Sequence, residues 1–231
     1  MINNITIEIA LGCIQDVAKL EKYDVDRIEL NSCIELGGIT PSLSTLIEAK
    51  KVSTKKIVCM CRVRGGNFCY TNDEYDVMLK DAKLMLENGA DGIVFGYLNE
   101  DASVNVEKSK EMIDLIHSYG REAIFHKASD VSDDIDKTVE TLSKLGIDRI
   151  LTSGKAVYPD ILNGCAKINE LAKKYPNVEF LPGGGVRINN VKEVVDTCQT
   201  GQVHMTSKKQ YDGEYTGLDE QQLVQLLDQL R

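Results

Sequence analysis

Ten polar residues near the ends of short apolar runs have side chains suited to chemistry. Burying an ionised side chain without a partner is costly, so a charge beside a buried segment is either paired or functional. Carboxylates and imidazoles can transfer protons, and guanidinium or ammonium groups can hold an anion. The ten residues are Glu8, Glu29, Arg62, Arg64, His126, Lys127, Thr152, Ser153, His204 and Thr206.

If these side chains converge, they form an acid–base set beside an anion site. In this interpretation Glu8 or Glu29 is the catalytic base and His126 its acid partner, while Arg62 and Arg64 hold a phosphate or carboxylate. Such a site would serve a lyase, isomerase or hydrolase that acts on a small anionic metabolite. A structural alternative stays open, in which the glutamates pair with buried arginines and the histidines only form hydrogen bonds.

Two glycine-rich segments offer backbone N–H groups to an anion. One is residues 64–66, after the third apolar run, and the other is residues 182–187 (PGGGVR), after the seventh. Glycine allows positive φ and a close approach of the backbone to a ligand, so Gly183 and Gly184 are candidate phosphate-binding residues. Residues 152–154 (Thr-Ser-Gly) are a weaker candidate of the same kind. A tight turn that binds nothing explains the same glycines equally well.

The segments that must position these side chains alternate between strand-like and helix-like patterns. Helical periodicity is clearest in the apolar face between Tyr75 and Leu86, and Gly89 and Gly146 stand where helices are expected to end. The candidate strands are residues 5–11, 26–31, 56–63, 91–98, 121–128, 148–153, 178–182 and 202–206.

Eight strand–helix units in a chain of 231 residues predict an α/β fold, a single-domain (β/α)8 TIM-type barrel that spans residues 1–231. An open doubly wound sheet is the runner-up, weakened because no predicted strand leads into a GxGxxG turn. In such a barrel the chemistry takes place at the C-terminal ends of the strands. The ten polar residues lie at those ends, so we expect them at the barrel mouth.

The amino-acid composition of the chain argues against some classes of binding partner. The formal net charge is −9 and the lysines are scattered, which argues against a nucleic-acid or membrane partner. No apolar run approaches the roughly 18 residues of a membrane span, and the first residues lack the pattern of a secretory leader. The seven cysteines are expected to be free thiols in a cytoplasmic protein.

Residues 58–70 (VCMCRVRGGNFCY) concentrate sulfur and positive charge. Side chains of a strand alternate between its two faces. If the two arginines point into the barrel mouth, Val58 and Met60 point inward as well, and Cys59 and Cys61 face the helices. Buried thiols in that position behave as small apolar side chains. The third cysteine, in the following loop, is the better candidate for a reactive thiol.

The chain resembles the copper homeostasis protein CutC family along nearly its whole length. The resemblance implies a TIM-type barrel, a cytoplasmic location, a homo-oligomer (dimer or tetramer) and a part in copper handling, with a metal ion as ligand, whereas the small anionic molecule is predicted from the residues described above. Eight ordered stretches carry it: residues 26–30 (DRIEL), 35–42 (ELGGITPS), 62–70 (RVRGGNFCY), 89–96 (GADGIVFG), 125–130 (FHKASD), 148–154 (DRILTSG), 182–186 (PGGGV) and His204.

This chain differs from the family's pattern at positions that matter for copper binding. The family ends its first two strands with cysteine, where this chain has Ala10 and Asn31. Thiolates suit Cu(I), whereas a methyl group or an amide does not replace them. Cys33 is then the candidate metal ligand, with Cu(I) as the implied ion. Lys127 stands where the family has arginine, so a compact ammonium group replaces a planar guanidinium that can donate two parallel hydrogen bonds. The resemblance supplies no settled reaction, so copper binding and an enzymatic activity both stay open.

Overall fold

The structure is a computed structural model that describes residues 1–211 and 215–231, with the side chains of residues 210, 211, 215 and 216 outside the description. Eight parallel strands form the barrel: β1 (Thr6–Leu11), β2 (Arg27–Leu30), β3 (Lys56–Met60), β4 (Gly92–Phe95), β5 (Glu122–Phe125), β6 (Arg149–Thr152), β7 (Glu179–Pro182) and β8 (Gln202–Met205). A two-stranded hairpin follows, β9 (Lys208–Tyr211) and β10 (Tyr215–Leu218).

The helices alternate with the strands and cover the barrel. They are α1 (Ile14–Leu20), α2 (Leu43–Val52), α3 (Asn72–Glu87), α4 (Val106–Ser118), α5 (Ala128–Val131), α6 (Ile135–Leu145), α7 (Leu162–Lys174), α8 (Val191–Cys198) and α9 (Glu220–Asp228). Local sequence sets several of their ends. Thr71 and Glu74 form a capping box that starts α3, and Gly146 ends α6 in the left-handed conformation at φ +87°.

The strand ladder runs from β8 through β1 and β2 to β7. Its register places Glu8 of β1 opposite Arg27 of β2 and opposite His204 of β8. The described residues form no ladder between β7 and β8, which lie side by side. Gln202 Nε2 donates to Glu179 Oε2 at 3.3 Å across this seam. The barrel is therefore nearly closed. Its seam lies between β7 and β8, and β8 is the strand that carries His204.

The barrel interior is divided into an apolar half and a polar half. Inward-facing residues of β3, β4 and β5 form a small apolar cluster of Val58, Met60, Val94 and Ile124. Five inward-facing side chains of β8, β1 and β2 are polar and buried: Glu8, Arg27, Glu29, Gln202 and His204. Outward-facing residues of all eight strands join the main core beneath the helices. The polar half places titratable groups where water is largely excluded.

The predicted single-domain (β/α)8 barrel is confirmed, with all eight predicted strands present. Several strands end earlier than predicted. The third was expected to span 56–63 but ends at Met60, because Arg62 pairs its backbone with Thr40 in the loop after β2. The hairpin of β9 and β10 was not predicted. Among the described residues, no helix has both the length and the apolarity to cross a lipid bilayer.

Gly164 in α7 marks a very close approach of a helix to the barrel. A Cβ added there would lie 1.8 Å from the carbonyl oxygen of Ser153. Alanine inside a helix normally gains about 1 kcal/mol over glycine. We expect the opposite sign for Gly164→Ala, a free energy of unfolding lowered by about 1–3 kcal/mol, because α7 must shift away. Urea denaturation measures the change.

Gly65→Ala is the control for this prediction. An added Cβ at Gly65 meets nothing closer than Leu36 Cβ at 3.9 Å, so this variant should unfold much like the parent protein. A Gly164→Ala protein as stable as the parent, or more stable, would contradict the packing of α7 on the loop after β6.

Candidate functional site

A cavity of about 300 Å³ opens at the C-terminal ends of the strands and is called the mouth cavity below. Glu29, Asn31 and His204 line one wall, formed by β2 and β8. Lys127 and the glycine loop after β7 also line the cavity. Ala10 and Thr206 also contact the cavity. The mouth thus brings together residues from the beginning, middle and end of the chain.

A larger cavity, of about 800 Å³, lies at the opposite end of the barrel, where the strands begin. Its charges are already paired. Arg149 contacts Glu122 at 3.1 Å and Glu179 at 2.8 Å, and Arg27 donates to Gln202 at 3.1 Å. The smaller mouth cavity is the better functional candidate, because buried polar atoms without partners line it.

The carboxylate of Glu8 lies at the centre of the polar half. Its Oε2 accepts from Nε of Arg27, and its Oε1 pairs with Nδ1 of His204 at 2.7 Å. Burial raises the pKa of Glu8, but the Arg27 charge and the His204 hydrogen bond outweigh burial and hold that pKa well below its ordinary value. Glu8 is therefore ionised at neutral pH.

Glu29 differs from Glu8 although both are buried. Its Oε2 accepts from Nδ2 of Asn31 at 2.8 Å, while its Oε1 is buried without a partner among the described residues. Burial is the main cause that raises the pKa of Glu29, and the Glu8 charge adds to it against the charge of His204. One glutamate is thus held ionised, while the other is pushed towards its protonated form.

His204 lies between the two glutamates. Burial lowers its pKa, but the negative charges of Glu29 and Glu8 and the hydrogen bond with Glu8 raise it above the ordinary value. Pairs of groups whose environments separate their pKa values are typical of sites that transfer protons. The Glu8–Glu29 pair, with His204 between the two carboxylates, has this character.

Glu8, Glu29 and His204 also form a cluster with the geometry of a metal site. Each offers one ligand atom, and the three atoms lie within 4.8 Å of one another. Across the described ranges, this is the one group of three or more His, Cys, Asp or Glu residues with that geometry. Two carboxylates and an imidazole suit borderline and hard divalent cations better than Cu(I). We call these three residues the triad.

Arg62 and Arg64, predicted anion-binding residues, bind protein groups and do not line the mouth cavity. Arg64 is paired with Glu74 through Nε at 2.5 Å and Nη2 at 3.3 Å. The alternation expected from β3 does not reach these residues, because the strand ends before them. Arg62 is buried and donates at 2.8–3.2 Å to three loop carbonyl oxygens, those of Leu36, Gly38 and Gly66.

His126, the predicted acid partner, is buried beside the cavity rather than in its lining. Its Nδ1 accepts from the backbone N–H of Ala128 at 3.1 Å, so the neutral ring carries its proton on Nε2. That Nε2 is buried without a partner among the described residues. Burial and the neighbouring Arg62 charge lower the pKa of His126 to about 3, so the imidazole is neutral at physiological pH.

Thr152 and Ser153 do form an anion-binding turn, and a carboxylate of the protein fills it. Asp130 accepts from Oγ1 of Thr152 at 2.5 Å and from the backbone N–H of Ser153 at 3.0 Å. Nζ of Lys127 donates to the same carboxylate at 2.6 Å. Sequence reasoning did not single out Asp130. Its position three residues after Lys127, ahead of a Thr-Ser-Gly turn, is the signal that was available.

The glycine loop after β7 depends on its glycines. Gly184 and Gly185 adopt φ of +90° and +110°. A Cβ at Gly184 would lie 2.5 Å from Nζ of Lys127, and one at Gly185 would lie 2.2 Å from the carbonyl oxygen of Pro159. The N–H of Gly183 donates to the carbonyl oxygen of Thr152 at 3.0 Å. Gly184 and Gly185 form part of the cavity lining.

The cysteines lie away from the triad. Cys33 is exposed, starts the short turn of residues 34–36, and is outside both the triad and the cavity lining. Cys59 and Cys61 belong to the core beneath the helices, as the alternation of β3 predicted, and burial raises the pKa of both thiols. Sγ of Cys61 donates to the carbonyl oxygen of Met78 at 3.1 Å.

Removing Arg27 tests the dependence of Glu8 on its partner. Arg27→Met leaves a buried carboxylate with His204 as its remaining partner, and loss of one member of a buried pair costs about 3–5 kcal/mol. We expect that loss in the free energy of unfolding, measured by urea denaturation. Adding Glu8→Gln to Arg27→Met removes the stranded charge and should recover part of the loss. Strictly additive effects of the two changes would contradict the ion pair.

The pKa of His126 predicts a pH dependence of stability. Because the folded-state pKa of about 3 lies below the ordinary value of 6.5, the unfolded chain binds more protons between these values. The contribution of His126 to stability is therefore complete above pH 6.5 and is lost as pH falls towards 3. We expect the stability difference between the parent protein and His126→Asn to grow with pH at up to about 1.4 kcal/mol per unit.

Denaturation at pH 4, 5, 6 and 7 measures this slope, and the half-exposed His117, changed to Asn, is the control. Equal pH slopes for the parent protein and His126→Asn would show that His126 is not buried in its neutral form.

Comparison with known proteins identifies the family. A profile of the CutC family matches residues 5–209. A CutC family protein of Treponema denticola is 39% identical over 89% of this chain and 82% of its own length. The copper homeostasis protein cutC homolog of Drosophila melanogaster is 35% identical over 89% and 78%. A crystal structure of CutC from Streptococcus agalactiae superposes with a TM-score of 0.80 at 29% identity, over 87% of this chain and 97% of that one. The chain belongs to the CutC family.

Proposed function

We propose that this protein takes part in copper homeostasis and that the triad at its mouth cavity binds the metal. The observation that carries the proposal is the convergence of three buried residues whose ligand atoms lie within 4.8 Å, together with Oε1 of Glu29, which has no partner among the described residues. The names of relatives, copper homeostasis protein among them, support the choice of metal. A cytoplasmic location and a homo-oligomeric state remain predictions from the family resemblance.

The donor set points to the oxidation state of the copper. Cu(I) selects thiolate and thioether ligands, whereas carboxylate and imidazole groups suit Cu(II) and other divalent ions. No cysteine is among the described residues that line the mouth cavity, and Met205 is the sulfur-bearing residue there. The triad is thus better matched to Cu(II) than to the Cu(I) expected for Cys33. Among divalent first-row ions, Cu(II) also binds such donor sets most tightly.

Metal binding at the triad would compete with protons. A metal ligand must be deprotonated, and the pKa values of Glu29 and His204 are both raised in the metal-free protein. Binding should therefore release protons and weaken as pH falls. This pH dependence separates the triad from adventitious binding at exposed carboxylates, which stay ionised at pH 6.

Titration of the purified protein with Cu(II), in competition with a chelator of known affinity, tests the proposal. We expect one equivalent to bind. Glu29→Gln should weaken binding by at least the roughly 10–100-fold that loss of an outer-shell partner costs, because a ligand itself is lost. Burial already favours the protonated form of Glu29, so the neutral amide should not destabilise the fold. Cys33→Ser is the matched control and should leave Cu(II) binding unchanged.

A parallel titration with Cu(I) under reducing conditions distinguishes the alternatives. Loss of copper binding in Cys33→Ser, with full retention in Glu29→Gln, would overturn the triad in favour of a thiolate site. One-equivalent Cu(II) binding that is insensitive to Glu29→Gln would also overturn it.

A further inference from the structure

Three cations line the mouth cavity: Lys127, Arg187 and Lys208, although the chain as a whole carries a formal net charge of −9. Lys127 is paired with Asp130. Neither Arg187 nor Lys208 has a carboxylate within ion-pair distance among the described residues. Glu29 and Glu35 are the carboxylates in the lining, and Glu29 belongs to the triad.

Neutral groups hold Arg187 in place. Its Nη1 donates to the carbonyl oxygen of Val186 at 2.6 Å, and its Nη2 donates to the hydroxyl of Tyr158 at 2.7 Å. The guanidinium also lies over the Tyr158 ring, 5.7 Å from the centroid. These contacts orient the side chain without neutralising its charge. An oriented, uncompensated guanidinium is the group proteins favour for recognising phosphate.

The glycine loop adds backbone donors to the cavity lining. The carbonyl oxygen of Gly185 already accepts from Nδ2 of Asn190 at 3.0 Å. The N–H groups of Gly184, Gly185 and Val186 donate to no acceptor in the described part of the chain. Gly185 and Val186 are buried. A buried backbone N–H group normally has a partner, so these donors indicate a ligand that supplies acceptor oxygens.

The cavity lining also contains buried polar oxygens without partners in the described structure. Oε1 of Glu29 and Oδ1 of Asn31 are buried, lack partners in the described structure, and belong to residues that line the cavity. Glu29 is 3% exposed and Asn31 is 2% exposed. Such atoms match hydroxyl or amine donors on a ligand. A cavity of about 300 Å³ is at the lower end of the range for small-molecule sites.

We propose that the mouth cavity binds a small phosphate ester that carries a hydroxyl group. The phosphate lies against Arg187, Lys208, Lys127 and the N–H groups of the glycine loop, and the hydroxyl end forms hydrogen bonds with Oε1 of Glu29 and Oδ1 of Asn31. A phosphate presents three oxygens and up to two charges, which fits several cations and N–H groups better than a carboxylate does. This binding activity shares Glu29 with the proposed copper site but does not depend on copper.

Calorimetric titration of chelator-treated, metal-free protein tests the inference with glycerol 3-phosphate, inorganic phosphate, glycerate and glycerol as probes. We expect glycerol 3-phosphate to bind most tightly, inorganic phosphate and glycerate more weakly, and glycerol not measurably. Arg187→Gln should weaken binding of both phosphate probes by about tenfold or more, because a charge-assisted hydrogen bond is lost. Arg231→Gln is the control, since it removes the same charge from an exposed residue paired with Asp24 and Asp228.

Glu29→Gln gives an independent readout. It should preserve the affinity for inorganic phosphate and shrink the advantage of glycerol 3-phosphate over it. Equal affinities of the parent protein and Arg187→Gln for glycerol 3-phosphate would overturn the site, as would tighter binding of glycerate. Arg187 is outside the triad and the protein is metal-free here. Failure of this proposal is therefore separate from failure of copper binding.

Discussion

The buried carboxylate of Glu8 is the constraint on which the rest of the site depends. A charge at the centre of a barrel must be compensated, and here Arg27 and His204 do so from the two neighbouring strands. Because the charge of Glu8 needs these partners, the part of the interior formed by β8, β1 and β2 is largely polar. It also fixes His204 between Glu8 and Glu29, where the three side chains form the triad. Apolar side chains of β3, β4 and β5 pack together in another part of the barrel interior.

Charged side chains near the mouth cavity bind the protein's own loops. Arg62 fixes the loops after β2 and β3 through three carbonyl oxygens, and Asp130 fixes the turn after β6 through backbone N–H groups. Both use charged groups of the kind that a ligand site would use. Arg62 and Asp130 are outside the cavity lining, and Asp130 is already paired with Lys127, so the proposed ligand recognition depends on Glu29, Asn31 and Arg187 in the lining itself.

Sequence reasoning predicted what strand periodicity controls and failed where loops decide. Glu8, Glu29 and His204 could be placed together because strands have a fixed alternation and parallel strands share an end. Arg62 could not be placed, because β3 ends at Met60 and the following backbone pairs with another loop. The partner of Ser153, and the orientation of Arg187 by Tyr158, depend on contacts between residues far apart in the chain, for which a single sequence carries no local signal.

Asn31 bears on the choice between an oxygen-donor site and a sulfur-donor site. Ala10 and Asn31, where the family resemblance leads one to expect cysteines, both line the mouth cavity. Thiolates there would make the cavity a soft site. In this chain the Asn31 amide instead donates to Oε2 of Glu29 at 2.8 Å, which fixes that carboxylate and leaves its Oε1 without a partner among the described residues. An amide at this position thus fixes the carboxylate on which both the proposed metal site and the proposed hydroxyl contact depend.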